Sequence, residues 1–316
     1  MTKTVLITGG AGFIGHRVTN QLLDLGYTPR LFDNLYRPDD KATDLISDPR
    51  VEFVQGDVRH LHRIDEAMDG VTDVIHLAAT NINKSQVDTT EGFEVNLMGS
   101  ENTFRSAVRH GVRRIVFASS ASVYGEPESL PMDENSPRNP VTPYCISKDA
   151  SERLLEFYAK KYDIEWNALR FFNVYGPGQN IDAYYTSVIQ VFIKRIIDGD
   201  APMIDGDGSQ TMDFVHVDDI ANSLVLALES DQHGHICNIG TGTETSVADL
   251  ARILLQALDS DLEPQFSPRD VLVTRRRADW SKAEEILGWK PTILVEDGIA
   301  DLARRLADDY RSAISA

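Results

Sequence analysis

The sequence predicts a doubly wound parallel α/β sheet followed by a smaller mixed α/β unit, and three observations lead there. Short, wholly apolar runs alternate with amphipathic stretches of helix length through the first half of the chain. Runs apolar at every position, rather than at every second one, mark parallel strands covered on both faces. A glycine-spaced loop follows the first run, and after "FFNVYGPGQN" the alternation loosens into turn-rich sequence. In order, the elements are strand "TVLITGG", a helix from Gly12 to about Gly26, strands "TPRLFDN" and "VEFVQGD", and a helix near 60–70. Strand "TDVIHLAA", a long helix through about 90–110, strand "RRIVFASS", a long helix after Tyr144 and strand "IEWNALRF" come next. Helices near 184–198, 219–229, 246–258, 281–287 and 296–312, with strand "HICNIGTG", complete the chain. The expected division is residues 1–172 as the larger unit, with contributions from about 213–240, and 173–316 as the smaller.

Composition narrows the class. The chain has 316 residues, 42% hydrophobic and 25% charged, as in soluble globular proteins. The longest apolar runs, such as "SLVLAL", fall far short of the roughly 20 residues of a membrane span. "MTKTVLITGG" enters a strand directly, without the h-region of a signal peptide, so a cytoplasmic location is expected. A net charge of −18 repels phosphate backbones and argues against nucleic-acid binding. The excess of Asp over Glu and Arg over Lys fits adaptation to high salt and fits an acidic mesophilic enzyme equally. Cys145 and Cys237 stand far apart without zinc or disulfide spacing, and no metal site is expected.

The loop "TGGAGFIG" spaces Gly9, Gly12 and Gly15 between the first strand and helix, with Phe13 and Ile14 inside the motif. Glycines there let the chain turn tightly and bring a helix N-terminus against a pyrophosphate, the Rossmann arrangement. Tight turns elsewhere also use such triplets. Asp33, followed by Asn34, closes the second strand at the spacing of a carboxylate that accepts from the adenosine ribose hydroxyls. Negative charge there repels a 2′-phosphate, which favours NAD over NADP. Asp57 ends the third strand where it can accept from the adenine amino group, with Val58 against the ring. In "PYCISK", Tyr144 and Lys148 lie four apart on one helix face, a spacing also common on solvated helices.

The motifs "TGGAGFIG", "HLAA", Asn96, "SSASVYG", Tyr144-x-x-x-Lys148, "RFFNVYGPGQ", "GDGSQTMDFVHVDD", "NIGTG" and "ADWSKAEEILGW" occur in this order along almost the whole chain. With them the chain resembles the extended short-chain dehydrogenases/reductases, in the NAD-dependent sugar-nucleotide epimerase/dehydratase family, and most of all its UDP-hexose 4-epimerase branch. The resemblance implies that Leu77, Ala78 and Ala79 of "HLAA" line the cofactor and that Ser120 is the catalytic hydroxyl beside Tyr144 and Lys148. A lysine ammonium and the positive charge of oxidised nicotinamide both favour a tyrosine phenolate, so Tyr144 is expected to act as the base. It also implies substrate contacts from Lys84, Ser120, Ser122, Tyr144, Asn173, Arg269 and Arg276, and a homodimer formed through helices at about 87–110 and 146–162.

Departures from the family pattern locate the branch. The 4,6-dehydratases of this family carry an Asp-Glu pair directly after the catalytic hydroxyl, where this chain has Ala121 and Ser122. The family's UDP-glucuronate decarboxylases place a glutamate at the position of Ser122. Epimerisation at C4 of a UDP-hexose or UDP-N-acetylhexosamine is therefore expected. A dehydratase or net oxidoreductase, and a catalytically silent NAD-binding regulator, are the alternatives. Met212 stands where a second phosphate-binding arginine is usual, and Arg275, Arg276 and Arg277 either replace that charge or form a solvated face.

Overall fold

Five-residue "TVLIT" shows how these runs become a sheet. In the computed structural model, which describes residues 3–36, 38–39, 42–179, 188–268 and 275–315, it forms β1 (Thr4–Thr8). Val5 and Ile7 enter the core on one face of the sheet, and Leu6 enters the core on the other. Side chains alternate across a strand, so only a strand covered on both faces can be apolar at every position.

The same logic builds β2 (Thr28–Asp33), β3 (Glu52–Gln55), β4 (Asp73–His76), β5 (Arg114–Ser120) and β6 (Glu165–Phe171). A Rossmann-like, all-parallel sheet results, in the order β11-β6-β5-β4-β1-β2-β3, its edge strand β11 (His235–Ile239) coming from late in the chain. The chain order reverses between β1 and β4, and the crevice beyond their C-terminal ends is where open α/β sheets bind ligands.

One face is covered by α1 (Phe13–Asp24), α9 (Val217–Glu229) and α11 (Ser281–Leu287), and the other by α3 (Leu61–Ala67), α6 (Gly99–Arg109) and α7 (Pro143–Tyr162). α7 starts where its sequence dictates. Thr142 accepts from the Cys145 N–H, Pro143 occupies the first turn, and Asp163 closes the helix in the left-handed region at φ 56°. Short α2 (Ala42–Ser47) follows β2, and α4 (Ile82–Val87) and α5 (Thr89–Phe93) precede α6.

The long helix expected over 90–110 is not uniformly α. A π turn, Glu94–Met98, joins α5 to α6. Such widened turns free a carbonyl from the helical ladder, and here the Asn96 carbonyl accepts from Ser100 and from Ser151 of α7.

Beyond β7 (Asn173–Tyr175), a third core gathers Phe192 and Ile193 of α8 (Val188–Ile197), Leu250 and Leu254 of α10 (Val247–Ala257), and Ile299 and Leu302 of α12 (Val295–Ser315). Short pairs accompany it: β7 with β10 (Phe214–His216), β8 (Met203–Asp205) with β13 (Gln265–Ser267), and β9 (Thr211–Met212) with β12 (Thr245–Ser246). Among the described residues no helix is long and apolar enough to cross a membrane.

At the crevice, β1 and β4 are joined by a directed chain of hydrogen bonds. Ala78 N–H donates to Thr8 Oγ1, whose hydroxyl contacts His76 Nδ1 at 2.6 Å. His76 Nε2 meets Ser100 Oγ at 2.9 Å, and that hydroxyl donates onward to the Asn96 carbonyl. Ser100 has given its proton away, so Nε2 carries the imidazole proton and Nδ1 accepts. A second proton on His76 would break the chain. Burial, reinforced by the Lys148 charge, holds the imidazole down to about 3 from an ordinary 6.5. The folded value lies below the unfolded one, so this contribution to stability is complete above pH 6.5 and is lost as pH falls toward 3. The window amounts to on the order of 5 kcal/mol. Thermal melts of His76→Gln across these pH values should show a shallower acid slope than wild type.

Candidate active site

The three glycines of the first loop are required for different reasons. Gly9 has φ +69°, and a Cβ on it would come within 2.9 Å of the Ala78 backbone nitrogen, so β1 and β4 approach here as only glycine permits. A Cβ on Gly15 would meet the Gly10 carbonyl at 2.5 Å. Gly12 differs. Its φ of −85° is ordinary, and an added Cβ would meet only the Gly9 carbonyl, at 3.3 Å. Its open side faces a cavity of about 460 Å³ that Gly9, Gly12, Phe13, Ile14 and Gly15 line together. No side chain caps α1, and its first turn carries no acid, which leaves N–H groups and a positive dipole end for an anion.

Asp33 lines the same cavity. It accepts from the Ala11 N–H at 3.1 Å and the Leu35 N–H at 2.7 Å. Burial raises its carboxyl above the usual range while those N–H groups oppose the rise. Asn34, Val58, Leu77, Ala78 and Ala79 also reach the wall.

Asp57 is there too, but its oxygens are already engaged. They accept from Arg59 N, Nε and Nη2 at 2.9, 2.9 and 2.7 Å and from Asn34 Nδ2 at 3.0 Å. Burial pushes Asp57 up, and these donors more than reverse it, leaving it well below the carboxylate range. A carboxylate offers about four acceptor sites. An adenine amino group therefore has to share or displace a donor, which the sequence alone did not reveal.

Ser120, Tyr144 and Lys148 converge from β5 and α7, and Tyr144 reaches the cavity. Ser120 accepts from the Ser122 N–H at 3.2 Å, and its hydroxyl favours the ionised form of the neighbouring Tyr144 phenol. Lys148 is buried; its Nζ donates to the Ala118 carbonyl at 2.7 Å and lies 5.8 Å from the Tyr144 ring centroid. The electrostatics of the protein alone run opposite to the expected phenolate. Burial raises Tyr144 to about 12, with Ser120 opposing, and burial draws Lys148 down to about 8, with Glu152 opposing. Desolvation disfavours each charged form and here outweighs the opposing contributions of Ser120 and Glu152.

The expected substrate residues are less uniform. Lys84 lines the same cavity as the glycine loop, ion-paired with Glu91 at 2.8 Å and placed 3.9 Å over the Tyr36 ring. Ser122 lies in the 3₁₀ turn Ala121–Tyr124, its Oγ buried and without a partner among the described residues. Asn173 donates to the Asp213 carbonyl at 3.2 Å. Arg276 is half-buried and braces the turn after Ser120, donating to the Ala121 and Gly125 carbonyls at 3.0 and 3.4 Å. Arg275 pairs with Glu244 at 2.6 Å, with Arg277 at 3.9 Å from the same carboxylate. Thr245 faces Met212 across the β9–β12 pair. Arg269 lies outside the described residues.

Tyr36, Arg59, Glu91, Gln179 and Gln190 line the cavity and were not expected there. Gln179 belongs to the quoted "GPGQ", and Tyr36 and Arg59 closely follow the two expected aspartates. Gln190, brought in on α8 to donate to the Gln179 carbonyl at 2.6 Å, leaves no local signal.

A family model described as the NAD-dependent epimerase/dehydratase family matches residues 5–240. The chain belongs to that family. NAD is the family's cofactor and this chain's, and the uncapped α1 N-terminus, the open face of Gly12 and the carboxylate of Asp33 fit a dinucleotide. A protein of Methanocaldococcus jannaschii to which UDP-glucose 4-epimerase activity is ascribed is 37% identical over 98% of this chain and all of its own length. The dTDP-glucose 4,6-dehydratase of Streptomyces antibioticus is 31% identical over 97% of this chain and 92% of its own. In structure, the UDP-glucose 4-epimerase of Thermotoga maritima, solved with UDP-glucose, matches with a TM-score of 0.91 at 30% identity. It covers 97% of this chain and 99% of that one.

The glycines yield a paired prediction for this family member. Gly15→Ala forces a backbone collision and should lower stability by about 1–3 kcal/mol. Gly12→Ala should melt within ~0.5 kcal/mol of wild type when free of NAD yet weaken NAD binding at least ~10-fold, about 1.4 kcal/mol. Calorimetric titration of NAD beside thermal melts reads both effects.

Proposed function

We propose that the protein is an NAD-dependent epimerase acting at C4 of a nucleotide-activated hexose, UDP-glucose/UDP-galactose or their N-acetylamino forms, through a transient 4-keto sugar. The observation that carries this reading is the composition of the turn after Ser120. Ser120 stands beside Tyr144 and favours its ionised form, but the turn that follows offers Ala121 and Ser122 where the resemblance to 4,6-dehydratases requires an acid and a base. One proton acceptor that takes a proton and returns it suffices for inversion at C4, whereas water elimination needs two further proton carriers.

In this reading Tyr144 takes the proton of the 4-hydroxyl and gives it back, and Ser120 holds the same oxygen in place. Lys148 favours the phenolate by its charge. Gly12, the α1 N-terminus and Asp33 hold NAD, which supplies the acceptor and donor of hydride when bound. Lys84, Asn173, Ser122, Arg269 and Arg276 remain proposed substrate contacts. The bracing role of Arg276 makes it the shaper of the turn beneath the sugar as much as a direct contact.

A homodimer is part of the proposal. Ile146, Phe157 and Tyr162 of α7 are exposed, as are Val87 of α4 and Met98 of the π turn. α7 packs against α4, α5 and α6, so these residues lie on one helical layer, and a second copy of the same layer would cover them in a four-helix arrangement.

Purified protein should interconvert UDP-glucose and UDP-galactose, or the N-acetylamino pair, without added cofactor, and Tyr144→Phe should lower kcat by ~10²–10⁴. The reading fails if no nucleotide hexose turns over, and a stable keto-deoxy product would select the dehydratase alternative raised by the Streptomyces relative. Light scattering should report a dimer for wild type and a monomer for Phe157→Glu, which places a charge in the proposed seam.

A further inference from the structure

Glu152 is completely buried, four residues beyond Lys148 and eight beyond Tyr144, so the three side chains fall on one face of α7. Its carboxylate accepts from Ser119 Oγ at 2.5 Å and from Arg170 Nε and Nη2 at 2.9 and 2.7 Å, with Arg138 Nη1 at 3.3 Å. Each partner belongs to an element that shapes the catalytic end of the cleft. Ser119 adjoins Ser120 on β5, and Arg170 is the residue of β6 paired with Ser119. Arg170 also donates to the Tyr124 phenol at 2.8 Å, in the turn that begins just after Ser120. Arg138 reaches Asp149 as well, at 2.9 Å.

Lys148 is in the opposite condition. Its ammonium has three donors, and one hydrogen bond is found for it, to the Ala118 carbonyl; the rings of Phe117 and Tyr144 lie at 4.9 and 5.8 Å. The ionisable groups around it are few. His76 on β4 is neutral, Tyr144 is the group to be ionised, Arg170 on β6 and Arg138 carry the same charge as Lys148, and the Tyr124 phenol is raised to about 12 by burial. Glu152 is the carboxylate that opposes the desolvation of Lys148.

We propose that Glu152 is a positioning residue for the catalytic pair: its carboxylate, gripped by Ser119 and Arg170, keeps Lys148 an ammonium beneath Tyr144 and so eases ionisation of that phenol. The proposal rests on the reading of Tyr144 as the proton acceptor. The four donors around Glu152 keep the carboxylate itself ionised inside the core, and they tie its position to β5 and β6, so charge and geometry are set together.

The test is an ultraviolet titration of Tyr144 in NAD-loaded protein, read as the phenolate absorbance of wild type minus that of Tyr144→Phe, which isolates one of ten tyrosines. Repeated in the Glu152→Gln background, the Tyr144 midpoint should rise by roughly one unit, a tenfold loss of phenolate at a given pH. Glu152→Asp, which keeps the charge, should restore most of that loss. An unchanged midpoint in folded Glu152→Gln overturns the proposal. Should that variant not fold, Ser119→Ala, which removes one of the donors that hold the carboxylate in place and leaves every charge, takes its part, and a wild-type midpoint there overturns it equally. The titration reads ionisation and not turnover. A shifted midpoint in a protein that epimerises nothing would count against the proposed function and leave the role of Glu152 standing.

Discussion

The site depends on how closely the ends of β1 and β4 approach. A Cβ at Gly9 would sit 2.9 Å from the Ala78 nitrogen, so the two strands touch as backbone on backbone. The chain from Ala78 through Thr8, His76 and Ser100 to Asn96 runs across that contact and extends it into the π turn. Asn96 in turn clamps the Thr80 backbone through both ends of its amide and accepts Ser151 from α7. The glycine loop, the wall formed by Leu77–Ala79 and the helix that carries Tyr144 are thereby registered to one another. Each polar group in this buried run has its partner, which is the condition under which such a network rigidifies rather than weakens a core.

Charge is handled differently on the two sides of the cleft. On the dinucleotide side the positive end of an uncapped helix faces a cavity edged by Asp33, and the nearby ions Asp57, Arg59, Lys84 and Glu91 are paired among themselves. Around Tyr144 and Lys148, desolvation governs. It raises the Tyr144 phenol and depresses the Lys148 ammonium, so each group is biased toward its neutral form. The buried Glu152–Arg170 pair adds little net stability on general grounds, because taking two ions out of water offsets most of their attraction. The proposed role behind the Tyr144–Lys148 pair would give such a costly arrangement a reason to exist.

Family membership leaves the reaction open between relatives that invert a centre and relatives that expel water. In the proposed function two residues separate those outcomes, and both lie in the four-residue turn Ala121–Tyr124, braced by Arg276 from far along the chain. A fold shared across the family positions the dinucleotide, and the proposal assigns to the side chains of one turn how many protons can move.

The sequence by itself determined the parallel sheet, because residues such as Val5, Leu6 and Ile7 can all be apolar only in a strand buried on both faces. It also determined the glycine loop, the strand-end Asp33, the Tyr144–Lys148 helix and the family, since each is written in local spacing or in the order of motifs. The tertiary structure decided the rest. That Gly12 has room where Gly15 has none, that Asp57 is already saturated by Arg59 and Asn34, and that Arg276 braces a turn are facts about partners distant in sequence or about packing. The electrostatic state of Tyr144 belongs with them. Spacing on a helix brings an ammonium near a phenol, but the depth at which both are buried sets which protonation state each prefers, and burial is a property of the assembled fold.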